Sequence, residues 1–167
     1  MAENEKMIEQ RCCELLKARG MTFAAAESCT GGLVAARLTE VPGASAVFGC
    51  GIVSYNNTVK AEVLGVDPAI IEQYTAVSAE TAAAMAAAIR QKSGAAIGIG
   101  ITGNAGPSAS EGQPVGLVFV AVASEKYSHV SRLFINRHDA DARNLIRHFA
   151  ALKALSLILR AAGYYKE

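Results

Sequence analysis

The feature that most constrains the fold is an unbroken apolar run at residues 95–102. The run shows no alternation of polar and apolar residues, which is typical of a strand covered on both faces in the middle of a sheet. Such a strand needs helices on both sides, because both faces have to be buried. The chain has 167 residues, enough to build these layers as one domain covering residues 1–167.

The rest of the chain alternates between predicted strands and helices. Further strands are predicted at residues 22–26, 46–54, 115–124 and 127–135, of which the last two form a hairpin. Helices are predicted from apolar residues at helical spacing and from capping residues, at 3–19, 30–40, 58–64, 68–74, 78–91 and 140–162. This order predicts an α/β protein, a three-layer α/β/α sandwich with a mixed, mainly five-stranded sheet.

Composition narrows the classes of function. The formal net charge is +1, Trp is absent, and Lys and Arg are scattered, which disfavours nucleic acid as a partner. The sequence shows neither an apolar stretch long enough for a bilayer nor the apolar core of a signal peptide, so we expect a cytoplasmic protein without a membrane partner. The four cysteines lack metal-ligand spacing, so neither a metal site nor a disulfide is expected.

Two Gly-rich turns follow predicted strands, at residues 27–32 and 102–107. The first opens a helix, whose free N–H groups and dipole can hold a phosphate or an oxyanion, although an ordinary helix cap explains the same pattern. The second lets backbone approach a ligand closely, or is a plain surface loop. Arg143 and Arg147 share one face of the last helix and are either a phosphate grip or solvated charges.

Spacing alone does not reveal a nucleophile. The sequence has no Gly-x-Ser-x-Gly motif, and His138 is the one candidate for the histidine of a Ser–His–Asp triad. Ser45 precedes the strand predicted at 46–54, whereas Tyr55 and Lys60 follow it. A serine with a lysine base is therefore a candidate arrangement that spacing alone does not bring together.

Several collinear segments carry a resemblance to a known family. They include AESCTGG from residue 26, PGASAVF from residue 42, GIVSYNNTVK from residue 51 and TGNAGP from residue 102. With them, nearly the whole chain closely resembles the CinA C-terminal domain family, the bacterial nicotinamide-nucleotide amidases. The resemblance implies a Ser–Lys amidohydrolase, without metal or cofactor, that converts nicotinamide mononucleotide to nicotinic acid mononucleotide and ammonia.

The resemblance also implies roles for particular residues. It places the nucleophile at Ser45, the base at Lys60 and an assisting hydroxyl at Tyr55. The substrate-binding residues that it implies are Glu27, Ser28, Thr30, Gly31, Gly32, Thr102, Gly103, Asn104, Gly106 and Arg143. The chain departs from the family pattern at Ala44, at Asn104 and in the segment 141–142 before Arg143.

Two other functions stay open from the sequence. One is a non-catalytic nucleotide-binding module of the competence/damage-inducible type, which the polar Asn104 favours, and the other is an amidase for a different substrate. In each case the partner is a small-molecule nucleotide or amide. A homo-oligomer is also expected, since the apolar last helix and the Ala-rich helix at 78–91 can pack against a second copy, although burial within one chain explains the same residues.

Overall fold

One sheet forms the centre of the computed structural model, which describes residues 2–137 and 139–164. Its strands are β1 (Phe23–Glu27), β2 (Phe48–Val53), β3 (Ile97–Gly103), β4 (Leu117–Ser124) and β5 (Ser128–Phe134). They lie in the order β2-β1-β3-β4-β5. β1 is parallel to β2 and β3, whereas β4 is antiparallel to β3 and β5. The predicted mixed, five-stranded sheet is confirmed.

Helices cover both faces of the sheet. On one face lie α1 (Ala2–Ala18), α2 (Leu33–Thr39) and α5 (Ala142–Ala161), which share an apolar core with alternate sheet residues. On the other lie α3 (Pro68–Tyr74), α4 (Ala79–Ser93) and a π-helical turn at Val59–Leu64. The three-layer α/β/α arrangement is therefore confirmed. In the part of the chain that the structure describes, no helix combines the length and apolarity needed to cross a membrane.

The central strand and α4 approach each other closely because their residues are small. A Cβ added to Gly98 would lie 2.1 Å from the carbonyl oxygen of Ala86, and one on Gly100 would lie 2.3 Å from that of Ala82. Real Cβ atoms do not come so near backbone oxygens. The glycines at alternate positions of β3 and the alanines of α4 together allow the strand and helix backbones to pack in close contact.

Two element boundaries differ from the sequence prediction. The helix predicted from residue 30 begins at Leu33, because Gly31 and Gly32 adopt left-handed φ values of 60° and 94°. The strand predicted from residue 46 begins at Phe48, because a 3₁₀ turn takes up Ala44–Ala46. The candidate histidine of a triad, His138, lies outside the described residues.

The topology brings functional segments to one edge of the sheet. β1, β2 and β3 are parallel and therefore end at the same edge. β4 begins there, because its residue Val118 pairs with Gly103 at the end of β3. The carboxyl edge of parallel strands is where ligands bind in open α/β folds.

Candidate functional site

A pocket of 320 Å³ lies at this carboxyl edge. It is built from the turns after β1, β2 and β3, the segment before α4, and the start of α5. The side chains that supply its chemistry are Ser28, Cys29, Tyr55, Asn57, Lys60, Thr102, Asn104, Glu111 and Arg143. Six of the predicted catalytic and binding residues with functional side chains therefore share one cavity: Ser28, Tyr55, Lys60, Thr102, Asn104 and Arg143.

The centre of the pocket is a contact between Lys60 and Ser28. Lys60 is 2% exposed, and its Nζ lies 3.2 Å from Ser28 Oγ and 2.9 Å from the carbonyl oxygen of Ser54. Ser28 is buried directly after β1, so a rigid strand fixes its position. A buried amine against a serine hydroxyl is the geometry that lets lysine act as a base on serine.

Burial sets the protonation of both reactive groups beside Ser28. Removal from water lowers the pKa of Lys60, an effect that the charge of Glu111 partly opposes. Burial raises the pKa of the Cys29 thiol to about 12. The lysine is thereby moved toward the neutral form that a base requires. The same burial favours the protonated form of the neighbouring thiol.

The predicted pairing of Ser45 with Lys60 is corrected by the structure. Ser45 is exposed in the 3₁₀ turn before β2, whereas Lys60 contacts Ser54 just after that strand. The six residues of β2 alone separate the two ends by about 20 Å. The serine that meets Lys60 is Ser28, which the sequence prediction had placed among the substrate-binding residues.

Tyr55 belongs to the pocket but contacts a different partner from the one predicted. Its side chain is 59% exposed, and its hydroxyl accepts a hydrogen bond of 2.9 Å from Arg143. Arg143 also donates to the carbonyl oxygen of Gly106. The predicted assistance of Tyr55 to Lys60 is not seen as a direct hydrogen bond among the described residues. Tyr55 and Arg143 instead form a polar rim at the mouth of the pocket.

The first Gly-rich turn has a structural role that the sequence prediction missed. The buried carboxylate of Glu27 accepts hydrogen bonds from the backbone N–H groups of Gly32 (3.1 Å), Val34 (3.1 Å) and Ala35 (3.0 Å). The start of α2 is thus occupied by an internal anion, which corrects the prediction that it receives one from a substrate.

Three further residues of this turn also lie away from the pocket. Gly31, Gly32 and Thr30 are not part of its lining, so the structure does not bring them together with the other predicted binding residues. The carbonyl oxygen of Thr30 accepts a hydrogen bond of 2.9 Å from Arg147. The phosphate grip by Arg143 and Arg147 together, one of the two alternatives that the sequence left open, is not formed, since Arg147 holds the turn and Arg143 holds the pocket rim.

The second Gly-rich turn lines the pocket, but its polar groups are bonded internally. The Thr102 hydroxyl donates to the carbonyl oxygen of Ala76 at 2.6 Å. The Asn104 amide donates to two loop carbonyl oxygens at 3.1 Å and accepts from the N–H of Gly106 at 3.0 Å. Gly103 is required by packing, since a Cβ there would lie 2.8 Å from the Leu117 oxygen. Asn104 thus organises the loop, and its polarity does not by itself indicate a different ligand.

Glu111 and Asn57 are among the pocket residues that the sequence prediction missed. The Glu111 carboxylate accepts hydrogen bonds from Asn57 Nδ2 (3.3 Å) and from the N–H of Ala76 (2.8 Å). A signal was the position of Glu111 directly before Gly112 in an otherwise small and polar loop, since glycine is typical of turns. Among the described residues, no group of three or more His, Cys, Asp and Glu side chains is placed to hold a metal ion.

Comparison with known sequences finds one family across almost the whole chain. A family model described as the CinA C-terminal domain matches residues 5–162. A putative competence-damage inducible protein of Desulforamulus reducens is 49% identical over 123 residues, which is 74% of this chain and 30% of that protein. A CinA-like protein of Acidobacterium capsulatum is 44% identical over 92% of this chain and 36% of its own length. The chain spans about a third of the length of these curated relatives.

Solved structures agree with the sequence comparison. The competence/damage inducible protein CihA from Agrobacterium tumefaciens superposes with a TM-score of 0.87 at 33% identity, covering 94% of each chain. A CinA superfamily protein from Klebsiella pneumoniae superposes with a TM-score of 0.89 at 28% identity, covering 98% of this chain and 100% of that one. The open α/β fold of this chain is therefore the fold of these proteins.

Proposed function

The chain belongs to the CinA C-terminal domain family, and on that premise we propose that it is a Ser–Lys amidohydrolase acting on the carboxamide of nicotinamide mononucleotide. The substrate is the one that the sequence resemblance implies. The observation that carries the reaction type is the 3.2 Å contact between Lys60 Nζ and Ser28 Oγ inside the pocket. The proposed nucleophile is Ser28 and not Ser45, because Ser28 is the serine in contact with Lys60.

The proposed reaction runs in two stages through one base. Neutral Lys60 takes the proton of Ser28 as Oγ attacks the carboxamide carbon, and the resulting ammonium then protonates the amide nitrogen, which leaves as ammonia. Water, deprotonated by the same amine, cleaves the acyl ester to release the carboxylate and to restore Ser28. The Ser54 carbonyl oxygen, 2.9 Å from Nζ, holds the amine beside Ser28 in both stages.

Two other features of the pocket support this chemistry. The N–H of Cys29, directly after the nucleophile, belongs to a pocket residue and is a candidate donor to the oxyanion, a role worth about 3–4 kcal/mol per donor in known enzymes. Arg143 at the rim has a planar guanidinium suited to the 5′-phosphate, with Tyr55 holding it in place at 2.9 Å.

The proposal is tested by ammonia release from nicotinamide mononucleotide in wild type and matched serine variants. Ser28→Ala should lower kcat by about 10³-fold or more, because removing a nucleophile removes the covalent route. Ser45→Ala is the matched control and should keep the wild-type rate. A Ser28→Ala variant with a normal rate, or a Ser45→Ala variant without activity, contradicts the assignment.

The phosphate role of Arg143 is tested with two substrates. Arg143→Ala should raise KM for the nucleotide but leave KM for the corresponding nucleoside, which lacks the 5′-phosphate, nearly unchanged. Equal losses on both compounds would show that Arg143 supports the pocket without recognising phosphate.

A further inference from the structure

Glu111 lies at the tip of the loop between β3 and β4. Its backbone has a positive φ, a conformation that glycine and asparagine adopt more readily than glutamate. Ser110 and Gln113 exchange two backbone hydrogen bonds, which makes Glu111 and Gly112 the central pair of a tight turn. Their φ values are 52° and 73°. Positive φ at both positions is the pattern of a type I′ turn, where Asn or Gly is preferred first. A glutamate in this conformation is unfavourable unless contacts of its side chain stabilise it.

The Glu111 side chain joins the loop to two other walls of the pocket. One oxygen accepts from Asn57 Nδ2 at 3.3 Å, and the other accepts from the N–H of Ala76 at 2.8 Å. The carbonyl oxygen of Ala76 in turn accepts from the Thr102 hydroxyl at 2.6 Å. The Ala76 segment is thereby held from one side by the loop and from the other by the central strand.

A second strained residue lies beside this bridge. Thr75 has φ 70° and ψ 165°, a conformation normally reserved for glycine. Within residues 2–137 and 139–164, Thr75 and Glu111 are the two non-glycine residues with positive φ, and the hydrogen bond from Ala76 joins their segments. Both belong to segments that wall the pocket of Ser28 and Lys60. Strain of this kind persists where surrounding contacts fix a functional geometry.

We propose that Glu111 is a positioning residue, whose carboxylate fixes the tip of the loop at residues 104–116 to Ala76 and Asn57 and so closes the pocket around its substrate. The kinetic part of this inference rests on the proposed amidase function. Glu111 and Lys60 also line the same pocket, and the negative charge of Glu111 raises the pKa of that amine against the effect of burial. Glu111 thus couples the closed shape of the pocket to the protonation of its base.

The other titratable and charged groups near Lys60 allow the effect of Glu111 on its pKa to be measured separately. The Cys29 thiol also faces the amine, but burial raises its pKa to about 12, so it stays neutral over the working range. Tyr55 and Arg143 line the same pocket and are bonded to each other. Glu111 is therefore the acidic group whose removal should change the titration of Lys60.

The first test uses Glu111→Asn. Asparagine suits the first position of this turn but is one methylene shorter than glutamate and uncharged, so the turn is kept or improved while the bridge is lost. We expect a roughly tenfold rise in KM from the loss of two hydrogen bonds to the loop tip. The melting temperature should change little, because relief of the strained turn offsets the lost hydrogen bond of the Ala76 N–H. Wild-type kinetics in this variant would show that Glu111 is only a turn residue and would overturn the inference.

The second test compares pH profiles. Lys60 must be neutral to act, so kcat/KM rises with pH through its pKa. Glu111→Gln keeps the length of the side chain but removes the charge that favours the ammonium, so the rising limb should move to lower pH. Glu125→Gln removes the same charge from the exposed β4–β5 turn at the opposite end of the sheet, and its profile should match wild type. Asn57→Ala breaks one bond of the bridge and keeps the charge, so it should raise KM without moving the midpoint.

A substrate-independent measurement separates this inference from the proposed function. An arylsulfonyl fluoride reacts with an activated serine, and mass spectrometry follows its attachment to Ser28 as a function of pH. If wild type releases no ammonia but labelling of Ser28 has a lower midpoint in Glu111→Gln, the proposed substrate fails and the role of Glu111 stands. Labelling of Ser28 with the same rate and the same midpoint in wild type, Glu111→Gln and Glu111→Asn would refute the role of Glu111, whatever the substrate.

Discussion

Replacing Glu27 with glutamine should destabilise the protein without weakening substrate binding. The sequence placed Glu27 among the substrate-binding residues, whereas its buried carboxylate accepts three backbone hydrogen bonds at the start of α2. Both oxygens are used, one by Gly32 and Val34 and the other by Ala35. A glutamine has one acceptor oxygen, so its NH₂ group must face at least one N–H donor.

The magnitude follows from these contacts. One orphaned buried N–H costs about 1–3 kcal/mol, and loss of the negative charge at the helix start adds roughly 0.3–2 kcal/mol. The expected loss is therefore about 2–4 kcal/mol in the free energy of unfolding. For a domain of this size, each kcal/mol shifts the melting temperature by about 2–4 °C, which predicts a fall of roughly 5–15 °C.

The assay is thermal and urea denaturation followed by circular dichroism, with KM for nicotinamide mononucleotide measured well below the melting temperature. Glu40→Gln is the matched control, since Glu40 is an exposed carboxylate at the opposite end of the same helix. Its removal should leave stability unchanged or slightly higher, because a negative charge is unfavourable at a helix C-terminus. A Glu27→Gln variant with wild-type stability and a raised KM would refute the structural role.

Two further predictions concern the core and the base. Gly98→Ala should lower the free energy of unfolding by about 3 kcal/mol, because its Cβ would lie 2.1 Å from the Ala86 oxygen. Gly49→Ala, in an exposed strand position with no atom within 4 Å of the added Cβ, should change it by less than about 0.5 kcal/mol in the same urea titration. Lys60→Met should remove a pH dependence of the free energy of unfolding. Burial lowers the pKa of Lys60 in the folded state, so unfolding takes up a proton at pH values between that pKa and the ordinary lysine value. Wild type therefore gains stability as pH rises through this window. Urea titrations of both proteins from pH 7 to 10 should therefore show wild type gaining relative to the variant, and parallel curves would contradict it.

The fold was accessible from the sequence because its signals are local. The apolar run at 95–102 defines a strand buried on both faces, and the alternation of strands and helices around it defines three layers. The family resemblance also selected Lys60, Tyr55, Thr102 and Arg143, and the structure brings all four to one pocket. The contacts that these residues make could not be predicted from the sequence, since residues distant in sequence meet only through strand order and register.

Which serine contacts Lys60, Ser28 or Ser45, was determined by the tertiary structure and not by the sequence. Both serines stand beside a strand in a recognisable motif, and nothing in the spacing ranks one above the other as the partner of Lys60. Parallel pairing of β1 and β2 sends Ser28 and Lys60 to the same end of the sheet and leaves Ser45 at the other. Glu27 and Glu111 follow the same rule, because whether a carboxylate caps a helix, bridges a loop or meets a ligand depends on which N–H groups the fold brings within hydrogen-bonding distance of it. The sequence by itself determined the layers, the edge of the sheet and the kinds of side chain available there. Only the packed structure decided which of them touch.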